Sequence, residues 1–418
     1  CGLGIDNTTS EKRKKTFLRV SIATNLSLLG VFKYYDFFAE SFQSFSDYMG
    51  LSVQPYFLNV ALPVGISFYT FQTMSYTIDV YRGKISAAKN FLDFSLYVSF
   101  FPQLIAGPIE RGTRLLPQIL KARTMSLEKF YQGAYLFFWG LFLKVFIADN
   151  LARLVDPVFH SQGPYEGGSV LLATYAFSFQ IYCDFAGYSF MAIGLALSMG
   201  INLMENFRRP YFSQNISEFW RRWHISLSSW FRDYVFTPFY IYLSKIKYIK
   251  DFSLKIRHLM AFLVALFIAE FLLGMWHGAD WNYGLFGIYH ALMIGAYYSI
   301  KKYWDRLNKF LQIFLTYQIA CVGWLIFRAE SLTQIPEMLQ SILLNFGTTF
   351  NVNITSKGNT LLAFTCILVL VQVFQHKKND TMVVLRMHWM PRYAFFALLT
   401  CLIILFGDFS NKPFIYFQ

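Results

Sequence analysis

The sequence predicts an all-α, polytopic membrane protein, and three observations predict it. Of the 418 residues, 55% are hydrophobic and 20% aromatic, but only 15% are charged, where a soluble domain carries about 25%. Several apolar runs reach the roughly 18 to 25 residues that cross a bilayer as a helix. Basic residues gather in short segments between those runs, as cytoplasmic loops do under the positive-inside rule. A transmembrane β-barrel would show short alternating segments instead. The net charge of +13 therefore points to anionic lipid headgroups, with room for a phosphate-bearing substrate, and not to nucleic acid. The five cysteines, Cys1, Cys183, Cys321, Cys366 and Cys401, show neither metal-ligand spacing nor a disulfide framework. The chain begins at Cys1 without a signal-peptide pattern, so the expectation is that further residues precede it.

The basic segments order the crossings. Lys12 to Lys15 precede a first span at about 17–37, and a second at about 56–80 returns to Arg82, Lys84 and Lys89. The run 91–109 is apolar but holds Pro102, Gly107 and Pro108 and has basic residues on both sides. It reads as a re-entrant hairpin, since irregular backbone survives at membrane depth only when protein covers it. Span 130–150 follows, then the stretch 168–200, which contains Asp184, Gly187 and Gly194. That stretch is read as one broken or tilted span, because two crossings would place the basic 208–257 region outside. The 208–257 region holds ten Arg or Lys against Glu218, Asp233 and Asp251. Further spans are expected at about 254–274, 283–300, 311–328, 358–375 and 391–409. The total is nine crossings, with the amino terminus inside and the carboxyl terminus outside. No repeat, low-complexity tract or long linker divides 1–418 into domains.

Two islands interrupt the oily pattern. The first, Ser217-Glu-Phe-Trp-Arg-Arg-Trp-His-Ile-Ser-Leu-Ser-Ser-Trp-Phe-Arg-Asp-Tyr234, carries an apolar stripe at helical spacing. Asn215 followed by Glu218 resembles a capping box, so a helix is expected from about Ser217. An amphipathic helix lying in the inner interface explains most of this pattern. His224, at the border of the oily face, fits either a functional or a hydrogen-bonded structural role. The second island is Gly274-Met-Trp-His-Gly-Ala-Asp-Trp281. Ionisable groups at such depths are costly and mark functional sites by default. A neutral imidazole at His277 suits general-base work, and a capping or packing histidine suits the pattern as well. Glycines at 274, 278, 284 and 287 would let helices approach closely. Neither Asp280 nor His290 completes a metal-ligand set with His277. Asp184, beside Gln180 and Tyr182 in an apolar run, needs a partner and reads as a structural acceptor before an acid catalyst. Neither a Gly-x-Ser-x-Gly elbow nor a phosphate-cradling glycine loop occurs.

These segments resemble the membrane-bound O-acyltransferase family, in particular its bacterial alginate and peptidoglycan O-acetyltransferase branch. The likeness runs through Leu62-Pro-Val-Gly-Ile-Ser-Phe-Tyr-Thr-Phe71, Tyr76-Thr-Ile-Asp-Val-Tyr-Arg82, Phe101-Pro-Gln-Leu-Ile-Ala-Gly-Pro108 and Asp184-Phe-Ala-Gly-Tyr-Ser189. It continues through Glu218-Phe-Trp-Arg-Arg-Trp-His-Ile-Ser-Leu227, Gly274-Met-Trp-His-Gly278 and Ile326-Phe-Arg-Ala329. The family's early hydrophobic helices are absent before Cys1. Arg232-Asp-Tyr-Val-Phe-Thr-Pro-Phe-Tyr240 departs from the alginate pattern toward the teichoic-acid D-alanyl branch, which leaves the acceptor open.

The resemblance implies a helical bundle around a central tunnel, with His277 catalytic and His224 the second functional histidine. It implies acetyl transfer from a cytoplasmic thioester, acetyl-coenzyme A, to a hydroxyl of an extracytoplasmic polysaccharide, peptidoglycan or partner acetyltransferase protein, with no bound cofactor or metal. Arg221, Arg222 and Arg232 would face the donor's phosphates, although lipid binding explains them equally. Trp220, Trp223 and Trp276, with Asp184, would line a dry tunnel. The implied location is the bacterial inner membrane. D-alanyl transfer from a carrier protein and a proton-relaying transporter are the rival readings.

Overall fold

The computed structural model describes residues 1–246, 253–347, 352–410 and 414–415, of which 352–355 by their backbone alone. Lys247, Lys250 and Asp251 of the basic 208–257 region lie outside the described residues. The described residues form helices and turns without strands.

Six helices are long and apolar enough to cross a membrane: Leu127–Phe159, Gly167–Ser198, Leu254–His277, Lys309–Arg328, Ser356–Lys378 and Trp389–Phe406. They fall on the expected spans 130–150, 168–200, 254–274, 311–328, 358–375 and 391–409. The other three expected spans differ from these six in length or apolarity. The span 17–37 is part of a longer, more polar rod, Glu11–Leu29, that continues through a π-helical turn at Gly30–Tyr34 into Tyr35–Tyr48. The span 56–80 is helical only over Ile66–Tyr81, and residues 51–62 take no regular structure. Pro55 and Pro63 bias the residues before them away from the helical region, and Gly65 sits at φ 77°. The remaining 16 residues span about 24 Å, short of a hydrocarbon core of about 30 Å. The span 283–300 becomes Trp281–Trp304, a helix of sufficient length whose asparagine, histidine and tyrosines keep it below the apolarity of the other six.

The run 91–109 does not cross, as expected. Asn90 caps a short helix, Phe91–Val98, and turns follow through Gly107. Tyr97, wholly buried, donates its hydroxyl to the Glu110 carbonyl at 3.2 Å, satisfying backbone that lipid would leave unpaired.

The stretch 168–200 is one helix of 32 residues, Gly167–Ser198, the unbroken form of the single broken or tilted span expected there. Its glycines serve packing. A Cβ on Gly140 would lie 2.4 Å from the Gly187 carbonyl oxygen, and one on Gly194 2.4 Å from that of Gly133. The helices Leu127–Phe142 and Gly167–Ser198 therefore touch backbone to backbone at two points, the close approach that small residues permit in membranes. This pair forms the most extensive helix–helix contact in the fold.

A π-helical turn, Leu143–Ala148, interrupts the first of these helices and turns Lys144 inward. Its ammonium bonds Asp149 at 2.8 Å and Asp184 at 2.7 Å. Asp184 also accepts from the Ile415 amide at 2.8 Å. Asp184 thus has the partner its sequence context demands, and it belongs to a buried ion cluster.

On Leu254–His277, Ala261, Ala265 and Ala269 are buried while Leu259, Leu263 and Phe267 are exposed, so the small residues face the bundle and the large ones face outward. Replacing Lys144 with Met should remove the cation that two buried carboxylates share and cost about 3–5 kcal/mol. Thermal unfolding of purified protein would report it, with Lys144→Met/Asp184→Leu recovering part of the loss.

Candidate active site

The first island is not one helix. Asn215 caps it as expected, accepting from the Glu218 amide at 2.8 Å, but Glu218 reaches back to the Gln214 amide at 2.7 Å. The helix Ile216–Arg222 then stops, Trp223 extends, and His224 takes φ 42°, ψ 53° before a second helix, Ile225–Phe231. A left-handed conformation in a residue with a Cβ costs about 1–2 kcal/mol, so neighbours must impose it. The segment 206–208 does so. Arg208 donates its amide to the Arg222 carbonyl and Ile225 donates to the Asn206 carbonyl, both at 2.9 Å. Asn206 Oδ1 accepts from the Ser226 hydroxyl at 2.8 Å, and its Nδ2 donates to Ser189 at 3.0 Å.

The break changes the island's place in the molecule. A continuous amphipathic helix would lie on the interface; the two short helices bury Trp220, Trp223, Leu227 and Trp230 in the bundle core. Trp230 stacks on Phe71 at 3.9 Å and donates its indole N–H to the Phe71 carbonyl at 3.0 Å. His224 is wholly buried. Phe185 meets its ring edge-on at 4.5 Å, and Trp276 lies at 5.8 Å.

The second island closes the helix Leu254–His277. Gly278 follows because a Cβ there would sit 2.0 Å from the Tyr283 ring. Asp280 caps the next helix through the Asn282 amide at 2.8 Å. Gly274 and Gly287 let the two helices touch, since a Cβ on Gly274 would lie 2.1 Å from the Tyr283 carbonyl oxygen. The terminal carbonyls are held by the 11–48 rod. Lys33 Nζ donates to the Trp276 carbonyl, and the Tyr34 hydroxyl donates to the Met275 carbonyl at 2.8 Å. The π-helical turn at Gly30–Tyr34 lets these neighbouring residues serve one helix end. Such turns are frequent at functional sites.

The two islands converge. The rings of His224 and His277 are 6.4 Å apart, although one stands at a helix break and the other at the end of a distant helix. His277 packs against Trp276 at 5.2 Å, Phe327 at 5.3 Å and Phe286 at 6.0 Å. A third imidazole joins the cluster: His290, 1% exposed, lies 4.6 Å from Phe286 and 5.0 Å from Trp220. The sequence offered little to single it out, whereas Lys33 was a lone cation within an apolar run.

Beside this cluster opens a cavity of about 790 Å³. Arg208, Arg209, Arg221, Arg222 and Arg232 line it, together with Trp220. Three of the five arginines are the ones singled out from the sequence. Arg222 pairs with Glu218 at 2.5 Å and Arg232 with Asp233 at 2.8 Å, while Arg221 donates to Ser217 at 3.0 Å. Leu266, Ala269, Glu270 and Leu273 of Leu254–His277 form another part of the wall. Leu273 is one turn before His277. Trp223 and Trp276 are core residues outside the lining, and Asp184 faces Lys144 instead.

The arrangement is a deep imidazole pair beside a cavity with a cationic side. The sequence profile of the membrane-bound O-acyltransferase family matches residues 10–328, which contain all three buried histidines and all five arginines. The chain belongs to the membrane-bound O-acyltransferase family. Among relatives, it is 42% identical over 339 residues to a probable alginate O-acetylase of Pseudomonas putida, covering 80% of this chain and 66% of that protein. It is 32% identical over 373 residues to a peptidoglycan O-acetyltransferase of Helicobacter pylori, covering 82% and 67%. A teichoic acid D-alanyltransferase of Bacillus subtilis is 32% identical over 279 residues, 64% of this chain and 69% of that one. The chain thus spans 66% or less of the length of the alginate O-acetylases it matches.

In this acyltransferase-family fold, the backbone and the imidazole at 224 make separate demands. His224→Gly and His224→Ala both remove the ring, but only glycine adopts the left-handed conformation without strain. The glycine variant should be the more stable by about 1 kcal/mol, read as the higher unfolding midpoint in detergent.

Proposed function

We propose that this protein is an O-acyltransferase that moves an acetyl group from a cytoplasmic thioester, acetyl-coenzyme A, to a hydroxyl beyond a bacterial inner membrane. The observation that carries the reading is the His224–His277 pair, 6.4 Å apart in a buried aromatic enclosure beside a cavity lined by five arginines. The named relatives, two of them acetyl-transferring by name, support it.

In this reading His277 accepts the proton of the attacking hydroxyl while its oxygen bonds the thioester carbonyl carbon. The carbon–sulfur bond then breaks, and the imidazolium returns the proton to the departing thiolate. His224 orients the donor or meets the negative charge that gathers on the carbonyl oxygen. Phe185, Trp276, Phe286 and Phe327 keep water from the pair, which limits hydrolysis of the thioester. Trp220 bridges cavity and cluster. Arg221, Arg222 and Arg232, with Arg208 and Arg209, hold the donor's phosphates, and charge-assisted contacts of this kind are the stronger hydrogen bonds.

The acceptor is a polysaccharide or peptidoglycan hydroxyl, reached directly or through an extracytoplasmic acetyltransferase partner. The D-alanyl alternative is favoured by the segment after Asp233 and by the teichoic acid relative, but the acetyl-transferring relatives match more of the chain.

Purified protein given radiolabelled acetyl-coenzyme A and candidate glycans should transfer label. His277→Ala should lower the rate by about 10²–10⁴-fold, the usual contribution of a general base. Full activity in that variant would remove His277 from the chemistry, and label moving only from an aminoacyl carrier protein would favour D-alanylation.

A further inference from the structure

A second cavity, of about 740 Å³, lies where two of the crossing helices begin and holds none of the acyl-transfer residues. Glu128 and Tyr131 of Leu127–Phe142 line one wall, Arg392 and Tyr393 of Trp389–Phe406 line the other, and Arg386 stands on the loop between. The two helices run in the same direction. Tyr135 meets Phe396 edge-on at 6.2 Å, and further along Asn150 donates to the Phe406 carbonyl at 2.8 Å. Towards their starts the helices part. Arg392 stands one turn before Phe396 and Glu128 nearly two turns before Tyr135, on the stripes that face each other. Phe138, 6.0 Å from Phe396, completes an aromatic ceiling over the gap.

Charges of both signs therefore face one cavity without meeting. Glu128 accepts from the Gln132 side chain at 3.1 Å and Arg392 donates to the Leu385 carbonyl at 3.0 Å. Neither forms an ion pair among the described residues. Glu128 is exposed and Arg392 half-buried, so both charged groups are open to a ligand. Arg386 pairs with Asp380 at 3.2 Å, and its side chain is 75% exposed.

The surroundings at this level are lipid. Tyr131, Trp389 and Tyr393 are exposed, as rings at a membrane–water boundary are. Only 11% of the apolar stretch of Trp389–Phe406 is buried in protein, so the bilayer reaches the cavity along that helix. The ceiling at Phe396 lies seven residues, about 10 Å, beyond Trp389. That is deeper than a headgroup layer of about 5–8 Å. The cavity accordingly takes a headgroup and the glycerol beneath it, and acyl chains leave past the exposed Leu398.

The headgroup follows from the charges. A phosphate answers Arg392 and Arg386 through charge-assisted hydrogen bonds. A primary ammonium on a short tether from that phosphate answers Glu128 with N–H donors and meets the Tyr131 ring. A phosphoglycerol headgroup lacks the cation, and phosphocholine has a cation without N–H donors. We propose that this cavity binds a phospholipid with an ethanolamine headgroup, which bridges the starts of two helices that protein contacts leave apart. The site stands whether or not the acyl-transfer reading does.

Native mass spectrometry of the delipidated full chain tests it. Phosphatidylethanolamine, phosphatidylglycerol and phosphatidylcholine with the same acyl chains are titrated in detergent. The ethanolamine lipid should saturate one site, about three- to fivefold more tightly than either of the others. Arg392→Met should weaken it about tenfold. Glu128→Gln should erase the preference over the glycerol lipid and leave phosphate binding in place. The unfolding midpoint of each lipid-free variant shows any fold defect separately. Equal binding of the three lipids, a preference for the glycerol lipid, no saturable site, or an unchanged preference in Glu128→Gln would each overturn the proposal.

Discussion

The interruption between Trp223 and His224 is the constraint on which the site depends. A continuous helix over this island would have kept its tryptophans and histidine at the membrane surface. Asn206 prevents that by occupying the backbone groups that a continuous helix would use, accepting from the Ile225 amide through its carbonyl and from the Ser226 amide through Oδ1. The second short helix then redirects, His224 is driven into the core, and its ring comes to rest near His277. The left-handed backbone is thus coupled to the imidazole pair. Strain at a residue with a Cβ persists only where surrounding structure over-determines it, and here the hydrogen bonds of the segment 206–208 do so.

The opposite side of the pair is fixed by a different device. The last carbonyls of Leu254–His277 have no partners within their own helix. In water they would be solvated; at this depth Lys33 and Tyr34 take their place. One histidine is therefore set by a loop that stitches a helix break and the other by a cationic cap from a distant rod. Aromatic rings fill the space between and exclude water from both.

Much of the fold was legible because apolar length is a strong local signal. Six helices fall on expected spans, and the short helix and turns of 91–109 followed from Pro102, Gly107 and Pro108. The expectation failed at 56–80, where apolarity outweighed Pro55, Pro63 and Gly65, whereas 168–200 is the single span expected, with its glycines acting as contact points and not as breaks. The site was legible in its residue types, since both histidines and the arginines stood out as polar groups in oily surroundings. Its geometry was not. The break at His224 is imposed by Asn206, eighteen positions earlier, and no local periodicity records a tertiary hydrogen bond. His290 looked like an ordinary helix residue. Glu270 and Lys33, each a single charge in an apolar run, carry the same signal as Asp184.

The twin glycine contacts between Leu127–Phe142 and Gly167–Ser198 limit how this molecule is able to move. The spacing is seven residues on each helix, Gly133 to Gly140 and Gly187 to Gly194, so both contacts engage in one register only. Sliding by a single position would drive a side chain into a carbonyl at both points together. That half of the bundle behaves as a fixed keel. Room for a passing substrate must come from side chains turning within the aromatic enclosure or from the rod that carries Lys33.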